Sequence, residues 1–128
     1  MAYTAIDDPS AHFHIQLYTG DGEASLAITN DANAGDFSPD WLWIKNRTSS
    51  GGTGPHIIFD TTRGNTKDFH VNQNEAEHTN ATTCLSFDID GFSVGSAGVV
   101  NNDTDSFVAW QWKANGGSRT TNAEDGNN

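Results

Sequence analysis

The sequence contains only one cysteine, Cys84, so no disulfide bond can form within the chain. Cys84 opens an apolar Cys-Leu-Ser-Phe pattern, which favours a buried, inert thiol over a catalytic one. Basic residues are also scarce, because six lysines and arginines stand against 17 acidic residues and the net charge is −11. Nucleic-acid phosphates and anionic membranes would repel such a chain. Nucleic acid is therefore not expected as a partner.

Long apolar runs are missing as well, since no stretch contains the roughly 20 apolar residues that a membrane-spanning helix requires. Residues 1–8 lack the basic and apolar regions of a signal peptide, which predicts synthesis in the cytosol. Strong helix formers are sparse, whereas asparagine, aspartate, threonine, serine and glycine are abundant. In a chain of 128 residues this composition predicts one all-β domain, which we expect to be an antiparallel β-sandwich.

Two tryptophan-rich segments predict the central strands of this sandwich. Residues 41–44 read Trp-Leu-Trp-Ile, and strand alternation places Trp41 and Trp43 on one face and the two aliphatic side chains on the other. Because both faces are apolar, the strand is expected to lie mid-sheet with a packed layer on each side. Residues 107–112, Phe-Val-Ala-Trp-Gln-Trp, predict a matching strand near the other end of the chain.

The tryptophans themselves have two interpretations. Exposed aromatic rings on a sandwich can stack on sugars, but a tryptophan within an apolar strand is more often a core residue. We therefore predict that Trp43 and Trp110 lie in the core. Trp41 and Trp112 are nearer the strand ends, and both interpretations stay open for them.

The remaining pattern predicts shorter strands joined by polar loops. Strands are predicted at residues 12–19, 23–28 and 56–59, and a hairpin at 84–94 turns at Asp90-Gly91. Residues 60–80 are predicted to be irregular, with at most one helical turn at 74–78. Residues 1–114 are expected to form the sandwich domain, and 115–128 a flexible polar tail or a linker to a further module.

Five segments follow one another in a specific order along the chain. They are Leu-Tyr-Thr-Gly-Asp-Gly at 17–22, Pro-Asp-Trp-Leu-Trp-Ile-Lys-Asn-Arg at 39–47, Phe-Asp-Thr-Thr-Arg-Gly at 59–64, Ser-Phe-Asp-Ile-Asp-Gly-Phe-Ser-Val-Gly at 86–95 and Phe-Val-Ala-Trp-Gln-Trp-Lys-Ala at 107–114. Together they resemble a domain of marine bacteriophage virion proteins, which are tail, tail-fibre or other appendage components. The domain is similar to concanavalin-like or SPRY-like jelly-roll sandwiches.

The resemblance spans almost the whole chain, and it implies a location in the virion after synthesis in the host cytoplasm. It also implies other virion proteins as partners and the homotrimeric assembly of phage fibres. Members of this family continue past the Trp-Lys-Ala block into another module. The chain is therefore expected to be either a short version or an N-terminal fragment.

Metal sites are weakly indicated. Asp88-Ile-Asp-Gly has the opening spacing of a calcium loop, but Phe92 takes the next ligand position and no glutamate closes the pattern, so we predict a hairpin turn. The Asx-rich loop at 101–105 leaves calcium binding open. His12 and His14 share a predicted strand face that zinc could use, but no third ligand follows at motif spacing. We therefore predict no metal site and no cofactor.

Catalytic motifs are also not found. Asp60 and Arg63 bracket a turn and predict a structural ion pair rather than an acid–base pair. The sequence has no nucleophile elbow and no phosphate-binding loop. We therefore expect a non-enzymatic protein with no catalytic residue.

Two functions fit these observations, and both depend on the resemblance. The first is recognition of a host-surface glycan or protein by a module of a phage fibre. The second is a purely structural role, in which the domain pairs with other virion chains. Aromatic and Asx residues converging in one exposed hollow would favour recognition, whereas a broad apolar patch would favour pairing.

Overall fold

The computed structural model describes residues 8–31, 36–48 and 54–114, and within them two antiparallel sheets pack against each other as the predicted β-sandwich. The elements are a 3-10 helix (Pro9–Ala11), β1 (Phe13–Thr19), β2 (Leu26–Thr29), β3 (Trp41–Asn46), β4 (His56–Asp60), β5 (Lys67–His70), β6 (His78–Thr79), β7 (Cys84–Asp88), β8 (Gly91–Val94), α1 (Gly98–Asn101) and β9 (Ser106–Trp112). The predicted tail at 115–128 and most of the glycine-rich segment at 48–55 lie outside the described residues.

The larger sheet has six strands in the order β1-β9-β3-β4-β5-β6, and the smaller has three in the order β2-β8-β7. The two tryptophan-rich strands are direct neighbours, because β9 pairs with β3 along its length and Trp43 lies opposite Trp110. Strand β1 pairs with the other side of β9, with Phe13 opposite Trp112. Register therefore places Phe13 and the four tryptophans, which come from three adjacent strands, on one face.

The core lies between the two sheets and is aliphatic and phenylalanine-rich. Its buried members are Ile28, Leu42, Ile44, Ile57, Phe59, Cys84, Phe92, Val94, Val100, Phe107 and Ala109. Strands β3 and β4 point alternate residues inward, so Leu42 and Ile44 meet the smaller sheet while their tryptophan neighbours point away from it. One polar pair is buried with the core, because Gln111 Nε2 donates to Asn30 Oδ1 at 2.6 Å.

The predicted hairpin is confirmed as β7 and β8, but its two-residue turn is Ile89-Asp90 rather than Asp90-Gly91, because Gly91 already pairs with Asp88. Ser86 and Ser93 donate their hydroxyl protons to the two oxygens of Asp88, each at 2.6 Å. Gly91 has φ of 114°, which an L side chain rarely adopts. The carboxylate that resembled a calcium ligand is thus held by hydroxyl groups of the hairpin.

Several local predictions require correction. Residues 60–80 contain β5 and β6, and residues 74–77 form no helical turn because the chain runs toward β6. The second strand begins at Leu26 rather than at residue 23. A short helix, α1, precedes the loop predicted at 101–105 and includes Asn101. The first two differences involve polar segments whose pairing depends on a distant strand.

The prediction of a buried thiol is confirmed, since Cys84 has no exposed surface. Burial raises the pKa of Cys84 to about 12, so the thiolate is scarce at neutral pH. We expect native protein at pH 8 to react with a thiol-specific disulfide reagent only through its unfolded fraction. The check is to compare labelling rates in buffer and in urea, and rapid labelling of folded protein would contradict the buried state.

Candidate functional site

The outer face of the six-stranded sheet carries all four tryptophans of the chain. Trp41 and Trp43 on β3 and Trp110 and Trp112 on β9 point away from the smaller sheet, and each is partly exposed. The prediction that Trp43 and Trp110 belong to the core is therefore wrong. Alternation predicts correctly which side chains share a face, but the smaller sheet packs on the aliphatic face.

The tryptophan rings pack against one another and form a continuous aromatic strip. Ring centroids are 4.5 Å apart for Trp41 and Trp112, and 5.0 Å apart for Trp43 and Trp110. Phe13 extends the strip, with its centroid 4.9 Å from that of Trp112. The rings are tilted by 59°, 46° and 51° in these three pairs. They therefore form an irregular apolar surface rather than a coplanar one.

Aliphatic residues widen this surface toward the edge of the sheet. On β1, Ile15 is 48% exposed and Leu17 is 55% exposed, and both share the face of Phe13. On the opposite side, Ile58 of β4 lies beside Trp43, and Phe69 of β5 follows at 37% exposure. We call the outward-facing residues of β1, β9, β3, β4 and β5 the aromatic face.

The aromatic face is nearly free of negative charge, although the chain is strongly acidic. Among the outward-facing positions of β1, β9, β3 and β4, Asp60 is the only carboxylate, and Arg63 Nε lies 2.6 Å from it. This contact confirms the predicted Asp60–Arg63 ion pair. Burial, and secondly the charge of Lys45, lowers the pKa of His56, which favours a neutral ring beside Trp43.

A second group of side chains lies on the inner side of the same sheet, at its β5–β6 edge. Asp68 and His70 both point inward from β5, and His78 lies opposite Asp68 on β6. Asp68 Oδ1 is 3.1 Å from His78 Nδ1 and 3.4 Å from His70 Nε2. The carboxylate of Asp68 is almost fully buried, at 2% exposure. We call these three residues the Asp–His cluster.

Two further residues hold the Asp–His cluster in place. Glu75 Oε2 is 3.2 Å from His70 Nδ1 and 3.4 Å from His78 Nε2, so one carboxylate oxygen faces the outer nitrogens of both rings. Thr83 Oγ1 lies 3.4 Å from the second oxygen of Asp68 and 3.1 Å from the carbonyl oxygen of Asn80, so its hydroxyl proton is shared between these two acceptors. A surface hollow of about 340 Å³ lies over this arrangement. Imidazole and carboxylate ligands so arranged can bind a transition-metal ion.

Sequence reasoning did not identify the Asp–His cluster. The available signal was Asp68-x-His70, two residues on one face of a strand, followed by His78. The predicted irregular course of residues 60–80 hides this signal, because without β5 and β6 these residues have no common face. His12 and His14, the pair indicated by the sequence, do not assemble a site, because His12 caps the 3-10 helix and only His14 lies in β1.

The two segments that resemble calcium loops are hydrogen-bonded to other side chains of the protein. Asp88 is bonded within its hairpin. In the loop at 101–105, Asn101 is buried and donates to Asp21 Oδ1 at 3.0 Å, while Asp105 accepts from Asn46 at 2.7 Å. These contacts tie the loop to neighbouring strands.

Another hollow, of about 450 Å³, lies at the end of β3 and β4. Asp36, Asp40 and Thr61 supply polar groups to it, and Ile89 and Lys113 complete its rim. Phe37, the only aromatic residue among those that line it, is 2% exposed. The hollow therefore brings Asx residues together without presenting an aromatic ring on which a sugar could stack.

Comparison with known proteins gives a family but no relative of known function. None of the helices in the described part of the chain is long and apolar enough to cross a membrane. No curated protein and no solved structure matches the chain. A family model does match over residues 8–127, which includes the aromatic face and the Asp–His cluster. The chain therefore belongs to the DUF7483 family, whose description is a domain of unknown function.

Proposed function

We propose that the protein is a non-enzymatic assembly module that associates with a second copy of its own chain through the aromatic face. The observation that carries this proposal is the continuous strip of four tryptophans, flanked by the exposed side chains of Ile15 and Leu17. Soluble monomers rarely expose contiguous apolar surfaces of this kind without using them for binding.

The dimensions of the face suit a protein contact. With strands about 4.8 Å apart and residues about 3.3 Å apart, four strands of up to seven residues give a projected area on the order of 400 Å². Protruding rings raise the accessible area above this value. Since a specific interface buries about 800 Å² on each partner, the contact would also extend to Phe69 and the neighbouring rim.

The low charge of the aromatic face allows a second copy to occupy it. Two chains that each carry a net charge of −11 repel each other through most of their surfaces. On strands β1, β9, β3 and β4 the aromatic face brings only Asp60 to the contact as a carboxylate, and that group is paired with Arg63. On the Phe69 side Glu77 is the nearby carboxylate, and it is paired with Arg63 and Lys67. Contact between two such faces buries aromatic surface while most carboxylates stay in solvent, where salt screens them.

The setting we propose is a virion appendage of a bacteriophage, which rests on the five ordered sequence segments. In that setting the domain pairs chains within a fibre or tail structure, and a homotrimer is one arrangement that the face can serve. Recognition of a host-surface glycan is the less favoured function. The tryptophans pack into a broad apolar strip that suits a protein contact, and the hollow beside Asp40 presents no exposed aromatic ring among the described residues.

The test is the mass of the protein in solution. We expect light scattering after size-exclusion chromatography to show an oligomer whose fraction rises with concentration. The double substitution Ile15→Lys and Leu17→Lys should shift it to monomer, because it places two charges in the contact while altering only exposed side chains. The matched control is Ile89→Lys, since Ile89 is 89% exposed and lies on the β7–β8 turn, away from the aromatic face.

The outcomes separate the candidates. A monomeric wild type at high concentration would overturn association with a second copy. An oligomer that Ile89→Lys disrupts and the double substitution does not would place the contact elsewhere. A monomer that binds host-surface glycans, with binding strengthened by artificial trimerisation, would instead support recognition through effective concentration.

A further inference from the structure

We propose that the Asp–His cluster binds one divalent transition-metal ion of the zinc class. Its ligands are Asp68 Oδ1, His70 Nε2 and His78 Nδ1, which lie within 4.8 Å of one another. Two of the three separations, 3.1 and 3.4 Å, already approach the spacing of about 3.4 Å between ligands that are each about 2.0–2.1 Å from a tetrahedral ion.

Hydrogen bonding at His70 directs the correct nitrogen toward the ion. His70 Nδ1 lies 2.9 Å from Gln73 Oε1 and 3.2 Å from Glu75 Oε2, and both of these atoms are acceptors. The proton of a neutral His70 therefore resides on Nδ1. Nε2 then presents its lone pair toward Asp68 Oδ1 at 3.4 Å, which is unfavourable between the two atoms alone and becomes favourable when a cation lies between them.

The surroundings match the usual support for a metal site. Ligating histidines generally donate their second ring N–H to a carboxylate, and Glu75 Oε2 lies 3.2 Å from His70 Nδ1 and 3.4 Å from His78 Nε2. Thr83 orients the buried carboxylate of Asp68. Burial also gives Asp68 a reason to bind a cation, because an ionised carboxylate out of water needs a compensating charge.

The ligand set selects the class of ion. Two imidazoles and one carboxylate suit zinc, cobalt or nickel better than calcium, which prefers six to eight oxygen ligands. Cys84 belongs to the core, so no thiolate joins the set. Three protein ligands leave a fourth position for water or an incoming ligand, and the hollow of about 340 Å³ over the cluster gives it space.

Metal binding would stabilise the β5–β6 edge of the six-stranded sheet. Strand β6 has only two residues, and its ligand His78 would be joined through the ion to two ligands on β5. An ion held by folded protein and not by the unfolded chain stabilises the fold by mass action. We therefore expect zinc to raise the melting temperature as well as to bind.

The experiment is calorimetric titration of Zn²⁺ into the tag-free, chelator-treated full chain. We expect one zinc ion to bind per chain. The affinity for zinc should fall roughly 100-fold or more in His78→Gln, which removes a ligand. It should fall about 10–100-fold in Glu75→Gln, because Glu75 supports both imidazole rings. The matched control is His14→Gln, because His14 also faces a carboxylate, Asp31 at 4.0 Å, but belongs to no such cluster. Its affinity should equal that of wild type.

A second readout keeps the test valid if a variant is unstable. The side chain of His78 is 40% exposed, so His78→Gln is expected to keep the fold, and thermal unfolding in chelator checks this. Nitrogen NMR of the imidazoles should show zinc on Nε2 of His70 and on Nδ1 of His78. Absence of saturable binding in wild type, or binding that His78→Gln leaves unchanged, would overturn the proposal.

Discussion

Replacing Phe59 with alanine is expected to lower the free energy of unfolding by about 3–5 kcal/mol, the usual cost of deleting a buried phenylalanine side chain. Phe59 has no exposed surface and lies in the core between the two sheets. Its removal takes away apolar burial and leaves a cavity that the surrounding strands can fill only in part. Urea unfolding monitored by tryptophan fluorescence measures the change.

The matched control for Phe59→Ala is Phe69→Ala. Phe69 undergoes the same chemical change but lies on the aromatic face, where it is 37% exposed and has Arg63 above its ring at 5.7 Å. Its substitution should cost less than half as much in a monomer. Equal losses for the two variants, measured under monomeric conditions, would mean that the aromatic face is covered within the chain.

Gly91→Ala is expected to destabilise the protein by more than about 2 kcal/mol, because it combines an unfavourable backbone angle with a steric collision. Gly91 has φ of +114°, and a Cβ atom there would meet the carbonyl oxygen of Ile28 on the paired strand β2. Relief would require β2 and β8 to separate at the end of the smaller sheet. The same urea experiment measures this loss.

Substitutions at two other glycines separate the cost of the backbone angle from the cost of the steric collision. Gly64 has φ of +97°, but a Cβ atom there would have nothing within 4 Å, so Gly64→Ala reports backbone strain alone. At Gly20 the angle is not positive, yet a Cβ atom would collide with the carbonyl oxygen of Asn102, so Gly20→Ala reports the collision. We expect Gly91→Ala to exceed Gly64→Ala. The reverse order would show that the β2–β8 contact yields easily.

The aromatic face illustrates a limit of strand periodicity. Residues 41–44 are apolar on both faces, and the pattern correctly predicts a strand in the middle of a sheet. It does not indicate which face meets the second sheet, because both faces are hydrophobic and of sufficient size. The packed face is the one that β2, β7 and β8 cover, and those strands lie far away in the sequence.

The Asp–His cluster illustrates a different limit. Asp68 and His70 share a face only because β5 is a strand, and His78 joins them only because the two-residue strand β6 pairs with β5. A segment as short and polar as residues 67–79 has little intrinsic preference for a strand. It becomes one by adding to the edge of β4, which the local sequence does not encode.

The amino-acid sequence by itself determined the all-β class, the existence of strands β1, β3 and β9, the β7–β8 hairpin and the buried thiol of Cys84. Each of these follows from side-chain alternation or turn chemistry within a few residues. Only the tertiary structure decided that the tryptophans face outward and that Asp68, His70 and His78 converge. Both features depend on which strands pair and which sheet faces pack, and those choices are made by contacts between distant parts of the chain.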